Sequence, residues 1–246
     1  LSPHYGASKL RWCLDHVPAV RAALADGRLA MGPVASFLLF RLLDARPYVA
    51  DPANASRTQL WDPALRDWSA PLCELFGIER SLLPRCVGTR HAFGFLRCGP
   101  RSIPFTIATG DQSAVPFAFG DADDGTVYVN VGTGAFLQLP VRGALPAAPQ
   151  MLASVLRADG SRVDYALEGT VNGAGAALDW FAAREAAPLA DLLAELDRAD
   201  LSGLDPPLFL NGVSGLGSPF WVSDFPSAFV GSGAARERLL AVLESV

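Results

Sequence analysis

A carboxylate and an amide follow a glycine at the point where a short apolar segment ends. Ile103 to Ala108 is predicted to be a short buried strand, Thr109-Gly110-Asp111 a turn, and Gln112 to Phe119 the start of a helix. Because open α/β sheets bind ligands beyond the carboxyl ends of their strands, Asp111 could take a proton from a substrate hydroxyl there. Gln112 could exchange hydrogen bonds with neighbouring hydroxyls. The alternative is a turn-forming or helix-capping Asp111, since Asp is common in both roles.

A second motif, Gly132-Thr133-Gly134, combines a hydroxyl with the backbone N–H groups of a tight turn. The flanking segments, Thr126 to Val131 and Ala135 to Leu139, are predicted to be the two strands of a β-hairpin. Hydroxyls and backbone N–H groups at such a turn are suited to binding phosphate oxygens. The alternative is an ordinary hairpin turn without a ligand, because Gly-Thr-Gly is common in such turns.

The elements that must position these motifs are predicted from apolar periodicity and turn residues. In the first half they are helices at Ser8–Ala25 (broken at Pro18), at Val34–Leu43 (deeply buried, because it is apolar on nearly every side) and at Ala70–Phe76. In the second half they are a hairpin turning at Asp159-Gly160, helices at Val171–Ala187 and Leu189–Leu196, strands at Leu208–Leu210 and Ala228–Val230, and a helix from Ala234. Strands that precede helices indicate an α/β layered architecture.

Composition excludes several classes of protein. The chain has 246 residues and a net charge of -5, with 50% hydrophobic and 18% charged residues, as in a globular protein. An acidic chain without a basic cluster is not expected to bind nucleic acid. Its longest apolar stretches are much shorter than the roughly 20 residues that cross a bilayer, so no membrane partner is expected either.

The cysteines and histidines are too dispersed for a metal site. They are Cys13, Cys73, Cys86, Cys98, His4, His16 and His91. None of the spacings matches a zinc or thioredoxin-like motif, so the prediction is reduced thiols and a cytoplasmic protein without a protein-held metal. Most tryptophans are expected to pack in the core or between domains; these are Trp12, Trp61, Trp68 and Trp180.

Taken in order, eight motifs make the chain resemble the FGGY carbohydrate kinases, and among them most closely the glycerol kinases. The motifs are 9-KLRW-12, 54-NASRT-58, 67-DW-68, 110-GDQ-112, 130-NVGTGAF-136, 167-LEG-169, 174-AGA-176 and 215-GLGSPFW-221. The resemblance covers about the middle half of a family member, so the chain is expected to be the central portion of such a kinase. By itself it is expected to have little or no kinase activity.

The resemblance implies an actin-like, ribonuclease-H-like α/β fold with parts of two domains flanking a cleft. Residues 1–120 would belong to the N-terminal, substrate-binding domain and residues 121–246 to the C-terminal, nucleotide-binding domain. It implies ATP and Mg²⁺ as cofactors and a sugar or polyol as substrate. Asp111 occupies the family's catalytic-base position. In phosphoryl transfer the protein mainly holds the reacting groups in line and stabilises negative charge.

The resemblance also implies the other site residues. Gln112 would bind a substrate hydroxyl, Phe136 would pack against the carbon skeleton of the substrate, and His4 falls opposite a substrate-binding Tyr. The residues expected at the nucleotide are Gly132, Thr133 and Gly134 at the ATP phosphates, with Gly175 and Asp179 nearby. A Gln is often found where this chain has Asp179.

Two alternative functions stay open at this point. His4 counts against glycerol as the substrate, since it could bind a different polyol or a ketose; the alternative is a solvent-exposed His near a chain end. A pentulose kinase such as xylulokinase is therefore the second candidate, whereas Asn54 to Thr58 favours the glycerol-kinase side. A non-catalytic actin-like binding protein is the alternative from another class. A homodimer is compatible with the sequence.

Overall fold

The computed structural model of the protein describes residues 5–123, 125–198, 201 and 203–246. Their contacts divide the chain into two units. Unit 1 takes the described residues of 1–124, 140–146 and 153–166, and unit 2 takes those of 125–139, 147–152 and 167–246. His4, a predicted substrate ligand, lies outside the described residues. The domain boundary between residues 120 and 121 stays a prediction.

The secondary structure is mixed. The helices are α1 (Gly6–His16), α2 (Pro18–Ala25), α3 (Val34–Leu42), α4 (Pro52–Ser56), α5 (Ala70–Leu75), α6 (Asp111–Ala114), α7 (Gly175–Glu185), α8 (Leu189–Asp197) and α9 (Ala235–Glu244). The strands are β1 (Val49–Ala50), β2 (Trp61–Asp62), β3 (Asp67–Trp68), β4 (Arg85–Cys86), β5 (Arg90–Cys98), β6 (Arg101–Ile107), β7 (Tyr128–Val131), β8 (Ala135–Arg142), β9 (Leu152–Asp159), β10 (Arg162–Val171), β11 (Leu208–Leu210) and β12 (Ala228–Val230).

The helix break predicted at Pro18 is confirmed, because α1 ends at His16 and α2 begins at Pro18. Proline fits the first position of α2, where its missing N–H would have no helical partner. Leu14 of α1 packs into the core of unit 1. That core also contains Leu60, Trp61, Trp68, Ile78, Val155 and Tyr165.

The predicted packing of the tryptophans holds for three of the four. Trp61 and Trp68 are buried in unit 1, and Trp180 packs in unit 2 beside Phe209. The prediction for Trp12 is wrong. Its side chain is 56% exposed and stacks on the ring of His16, one turn further along α1.

Two segments that were predicted to be buried are largely exposed. Ser36 and Leu39 are the buried residues of α3, whereas Val34 and Phe37 are among its exposed ones. In β6, every residue except the half-buried Phe105 is exposed. The reason is that burial depends on the neighbours of an element: among the described residues, β6 pairs with β5 alone.

The two predicted hairpins are confirmed and lie in one sheet of order β7-β8-β10-β9. β7 and β8 are antiparallel, with Val131 opposite Ala135 on either side of the glycine-rich turn. β9 and β10 are neighbours joined by Gly160 and Ser161, a connection short enough only for an antiparallel pair.

In unit 2, the helices α7, α8 and α9 bury an apolar cluster that includes Phe181, Phe209 and Val242. The short strands β11 and β12 are antiparallel neighbours at the predicted positions. Helix α7 begins at Gly175, four residues later than predicted, because Val171 still belongs to β10.

One buried carboxylate leads to a prediction about pH. Asp51 caps α4 by accepting hydrogen bonds from the backbone N–H of Asn54 at 3.1 Å and from its side-chain amide at 2.8 Å. Burial raises the pKa of Asp51 above its ordinary value, and the bonds from Asn54 oppose this shift. A raised folded pKa contributes stability below the unfolded pKa, near 3.8, and this contribution is lost as pH rises through the folded pKa.

We therefore expect the stability advantage of the wild type over Asp51→Asn to be largest at acidic pH and to shrink as pH rises to 7. Each pKa unit corresponds to about 1.4 kcal/mol of this change. Urea unfolding of both proteins at several pH values measures it. A difference that is independent of pH, or that grows with pH, would contradict the prediction.

Candidate active site

The predicted catalytic carboxylate lies at the start of a short helix beyond the carboxyl end of β6. Gly110 has an extended backbone and precedes Asp111, the first residue of α6. The Asp111 side chain is exposed, and its Oδ1 accepts a hydrogen bond from the backbone N–H of Gln112 at 2.7 Å. Among the described residues, Oδ2 has no hydrogen-bond partner. One carboxylate oxygen is therefore open to a substrate.

The residues on either side of Asp111 are more enclosed. Gln112 is half-buried, and Ser113 is buried with its hydroxyl donating to the Val155 carbonyl at 3.0 Å. The Thr109 hydroxyl is buried and has no partner among the described residues. Leaving such a group unsatisfied costs about 1–3 kcal/mol, which favours a bound water or ligand at this point. Sequence reasoning missed Thr109, although a polar side chain at the end of an apolar strand is a signal.

The Gly132-Thr133-Gly134 turn is fixed by the start of α7, all within unit 2. The Gly132 carbonyl accepts a hydrogen bond from the N–H of Gly175 at 2.9 Å. The Thr133 carbonyl accepts from the N–H groups of Ala174 at 3.1 Å and Ala176 at 3.0 Å. The structure thus brings Gly175 to the turn. The backbone N–H groups of residues 174–176, at the start of α7, are used to hold the turn.

The glycines of this site differ in what they permit. A Cβ added to Gly175 would lie 2.7 Å from the Gly132 carbonyl oxygen, and one added to Gly134 would lie 2.9 Å from the Val171 carbonyl oxygen. A Cβ on Gly132 would meet nothing closer than 3.9 Å. Close backbone packing therefore requires glycine at 134 and 175, but not at 132.

Thr133 is the exposed polar side chain at the tip of this turn. In the part of the chain that the structure describes, its hydroxyl has no hydrogen-bond partner. Asp179 is exposed on α7 one turn after Gly175, and residues four apart lie on the same helical face. The Thr133 hydroxyl is suited to an anionic ligand, whereas the carboxylate of Asp179, one turn along α7 from Gly175, is suited to a cation.

Phe136 is 43% exposed on β8, where it pairs in register with Asn130 of β7. Gln138, two residues later, is buried and donates a hydrogen bond to Glu168 at 3.2 Å. Phe136 and the Thr133 turn belong to unit 2, whereas Asp111 and Gln112 belong to unit 1.

The described residues contain neither a cluster of metal ligands nor a membrane-spanning helix. No group of three or more His, Cys, Asp or Glu side chains there could hold a metal ion. None of the helices in those ranges is long and apolar enough to cross a membrane. The four cysteines are free thiols.

Comparisons with known proteins agree with the resemblance found in the sequence. Residues 1–124 match the model of the FGGY family of carbohydrate kinases, N-terminal domain. The glycerol kinase of Methylobacterium nodulans is 36% identical over 258 residues, which cover 100% of this chain and 50% of that protein. The glycerol kinase of Alkalilimnicola ehrlichii is 34% identical over 257 residues, covering 100% and 51%. The chain spans about half the length of the curated relatives it matches.

Solved structures give the fold. A Plasmodium falciparum glycerol kinase with ADP has a TM-score of 0.85 at 25% identity, covering 97% of this chain and 49% of that one. A Brucella ovis structure described as a xyloylose kinase has a TM-score of 0.80 at 22% identity, covering 97% and 50%. The predicted actin-like ATPase fold is thereby confirmed. From the family match over its first 124 residues and the identity with these relatives, the chain belongs to the FGGY family of carbohydrate kinases.

Proposed function

We propose that the full-length protein transfers the γ-phosphoryl group of ATP to a hydroxyl of a sugar or polyol, as a glycerol kinase does. Membership of a carbohydrate kinase family and 34–36% identity to glycerol kinases support this proposal. The observation that carries it is the open Oδ2 of Asp111 at the carboxyl end of β6.

In this proposal Asp111 is the catalytic residue that accepts the proton of the attacking hydroxyl. The hydrogen bond from the N–H of Gln112 occupies Oδ1, so Oδ2 is the oxygen left for the substrate. The side chain of Gln112 would bind a neighbouring hydroxyl. General-base assistance of this kind contributes typically 10²–10⁴-fold to a rate.

The ATP site is proposed at the glycine-rich turn of unit 2. The exposed Thr133 hydroxyl would donate to a phosphate oxygen, with Gly132 and Gly134 forming the turn around it. Gly175 and Asp179, both on α7, would lie near the nucleotide. ATP supplies the phosphoryl group when bound, and the ADP in the Plasmodium falciparum structure supports a nucleotide site in this fold.

Mg²⁺ is also part of the proposal. This ion keeps several waters and usually takes one or two carboxylates together with substrate phosphates. Asp179, which lies in unit 2 with the proposed phosphate-binding turn, has an exposed carboxylate that fits this requirement. Because waters and phosphates supply the other ligands, such a Mg²⁺ site needs no cluster of three protein side chains.

The acceptor is proposed to be a polyol related to glycerol, packed against Phe136, with His4 as a further ligand. The exposed aromatic ring of Phe136 supports this role. A pentulose is the second candidate, because His4 stands opposite a substrate-binding Tyr of the glycerol kinases.

The cellular compartment and the oligomeric state of the protein are also proposed. Four free cysteines favour a reducing compartment such as the cytoplasm. A homodimer stays a prediction, which analytical ultracentrifugation of the full-length protein tests.

An ADP-release assay tests the activity. The sample is the full-length translation product of the gene that encodes this chain, with glycerol, erythritol, xylulose and ribulose as acceptors. ADP release that depends on glycerol or erythritol would support the proposal, and release with pentuloses alone would favour the second candidate. Binding of ATP without turnover on any acceptor would favour a non-catalytic protein and contradict a kinase.

A further inference from the structure

The segment from Asp111 to Ala122 is held by strands β8 and β9, and one arginine makes two of the contacts. We propose that Arg157 of β9 is a positioning residue that fixes the segment carrying Asp111. The inference rests on the proposed kinase function, and it assigns to Arg157 no contact with substrate or nucleotide.

The first contact is with the residues that follow α6. The guanidinium carbon of Arg157 lies 4.9 Å from the centre of the Phe117 ring, within the range of a cation–π interaction. The same guanidinium donates from Nη2 to Oδ1 of Asp121 at 3.0 Å. Arg157 therefore contacts the chain both six and ten residues after Asp111.

The guanidinium is itself fixed from the other side. Its Nε and Nη2 both donate to Oδ2 of Asp164 on β10, at 2.9 and 2.6 Å. The side chains of Arg157 and Asp164 are 15% and 5% exposed, so water screens this pair little. Charge-assisted hydrogen bonds with this geometry are stronger than neutral ones and restrict the planar guanidinium.

Two further bonds hold the ends of the segment. Ser113 donates to the carbonyl of Val155, two residues before Arg157 on β9. Arg142 of β8 donates from Nη2 to the carbonyl of Ala122 at 2.6 Å. Because α6 has only four residues, it has too few internal hydrogen bonds to fix its own position. The position of Asp111 must then depend on these external contacts.

A positioning role has a distinctive kinetic signature. Displacement of a reacting group by about 1 Å can cost on the order of 10²-fold in rate. ATP is proposed to bind at the Thr133 turn of unit 2, so its binding should be left intact. Loosening Arg157 should therefore lower kcat without changing the KM of ATP. A residue that only stabilises the fold would change neither parameter in the folded fraction.

The test uses three variants of the full-length protein. Arg157→Met removes the contacts of Arg157 with Phe117 and with Asp121. Phe117→Leu removes only the aromatic ring and keeps the ion pairs of Arg157, so it can be used if Arg157→Met fails to fold. The control is Arg238→Met in unit 2, where Arg238 donates to both carboxylate oxygens of Glu185 at 2.7 Å. This control loses a half-buried ion pair that does not contact residues 111–122.

We expect Arg157→Met to lower kcat by about 10- to 100-fold with the KM of ATP within about twofold. Phe117→Leu should lower kcat by less, and Arg238→Met should leave it unchanged. On an Asp111→Asn background, Arg157→Met should have no further effect, because the group it positions is gone. An unchanged kcat in both Arg157→Met and Phe117→Leu, or a purely additive double variant, would overturn the proposal.

Hydrogen exchange separates this inference from the proposed function. Arg157→Met should accelerate exchange of the amides of residues 112–121, and Arg238→Met should not. If the wild type proves inactive, the kinase proposal fails, and the exchange result alone decides whether Arg157 anchors this segment. Unchanged exchange at 112–121 would then overturn the anchoring.

Discussion

Replacement of Asp111 by asparagine is expected to lower kcat of the full-length protein by about 10²–10⁴-fold. Asparagine keeps the size of the side chain, and its carbonyl oxygen can still accept the hydrogen bond from the N–H of Gln112. It cannot accept the proton of the attacking hydroxyl. Since the Asp111 side chain is exposed, the melting temperature should stay at the wild-type value.

The matched control for this experiment is Asp62→Asn in the same unit. Asp62 also accepts hydrogen bonds from backbone N–H groups nearby, those of Ala64 at 2.8 Å and Leu65 at 3.0 Å. It has no proposed role in the reaction, so kcat should stay within about twofold of the wild type. The readouts are steady-state ADP release with saturating acceptor and thermal unfolding of each variant.

Two results would count against the assignment of Asp111. A variant as fast as the wild type would mean that another group takes the proton or that none is needed. Equal losses in Asp111→Asn and Asp62→Asn would indicate a general effect on folding. A wild type without turnover would leave the non-catalytic alternative as the better description of the protein.

The features that could be predicted from the sequence are those with local signals. The turn at Gly132-Thr133-Gly134 follows from two β-rich segments separated by glycines, and the antiparallel pairing of β7 and β8 confirms it. The placement of Asp111 between a strand and a helix follows from an apolar run that ends in Thr-Gly-Asp. Pro18 likewise dictates a break between α1 and α2 without reference to any other part of the chain.

The features that could not be predicted depend on residues far apart in sequence. Strand β5 was missed because its sequence contains Gly94 at a φ of 122° and its pairing with β6 shifts register between Arg90 and Gly94. Its Phe95 N–H is bound by the carboxylate of Asp44, which is 51 residues away. The contact of Arg157 with Asp121 spans 36 residues, and nothing in the sequence around Arg157 indicates it.

Replacement of Gly175 by alanine is expected to destabilise unit 2 and to weaken ATP binding together. The new Cβ would lie 2.7 Å from the Gly132 carbonyl oxygen, closer than real Cβ atoms approach, so the turn or the start of α7 must move. Overpacking of this kind costs about 1–3 kcal/mol. Alanine also favours a helix by about 1 kcal/mol over glycine, but this gain is smaller than most of that range.

The link between stability and ATP binding comes from the hydrogen bonds at this contact. The N–H of Gly175 donates to the same Gly132 carbonyl that the new methyl group would push away, and Ala174 and Ala176 hold the Thr133 carbonyl. A shift at Gly175 therefore moves the Thr133 hydroxyl, the group proposed to bind a phosphate. We expect a lower melting temperature and a KM for ATP raised by about tenfold, which corresponds to about 1.4 kcal/mol.

Gly132→Ala is the control that separates the effect of the steric clash at Gly175 from the effect of replacing any glycine of this site by alanine. It adds the same methyl group to the same turn, but the nearest atom would be 3.9 Å away, and no positive φ is lost. Its melting temperature and its KM for ATP should stay close to the wild-type values. If Gly175→Ala behaves like Gly132→Ala in both measurements, the start of α7 does not control the turn, and the nucleotide role proposed for Gly175 loses its physical basis. If Gly175→Ala loses stability but keeps its KM for ATP, then Thr133 does not bind the nucleotide.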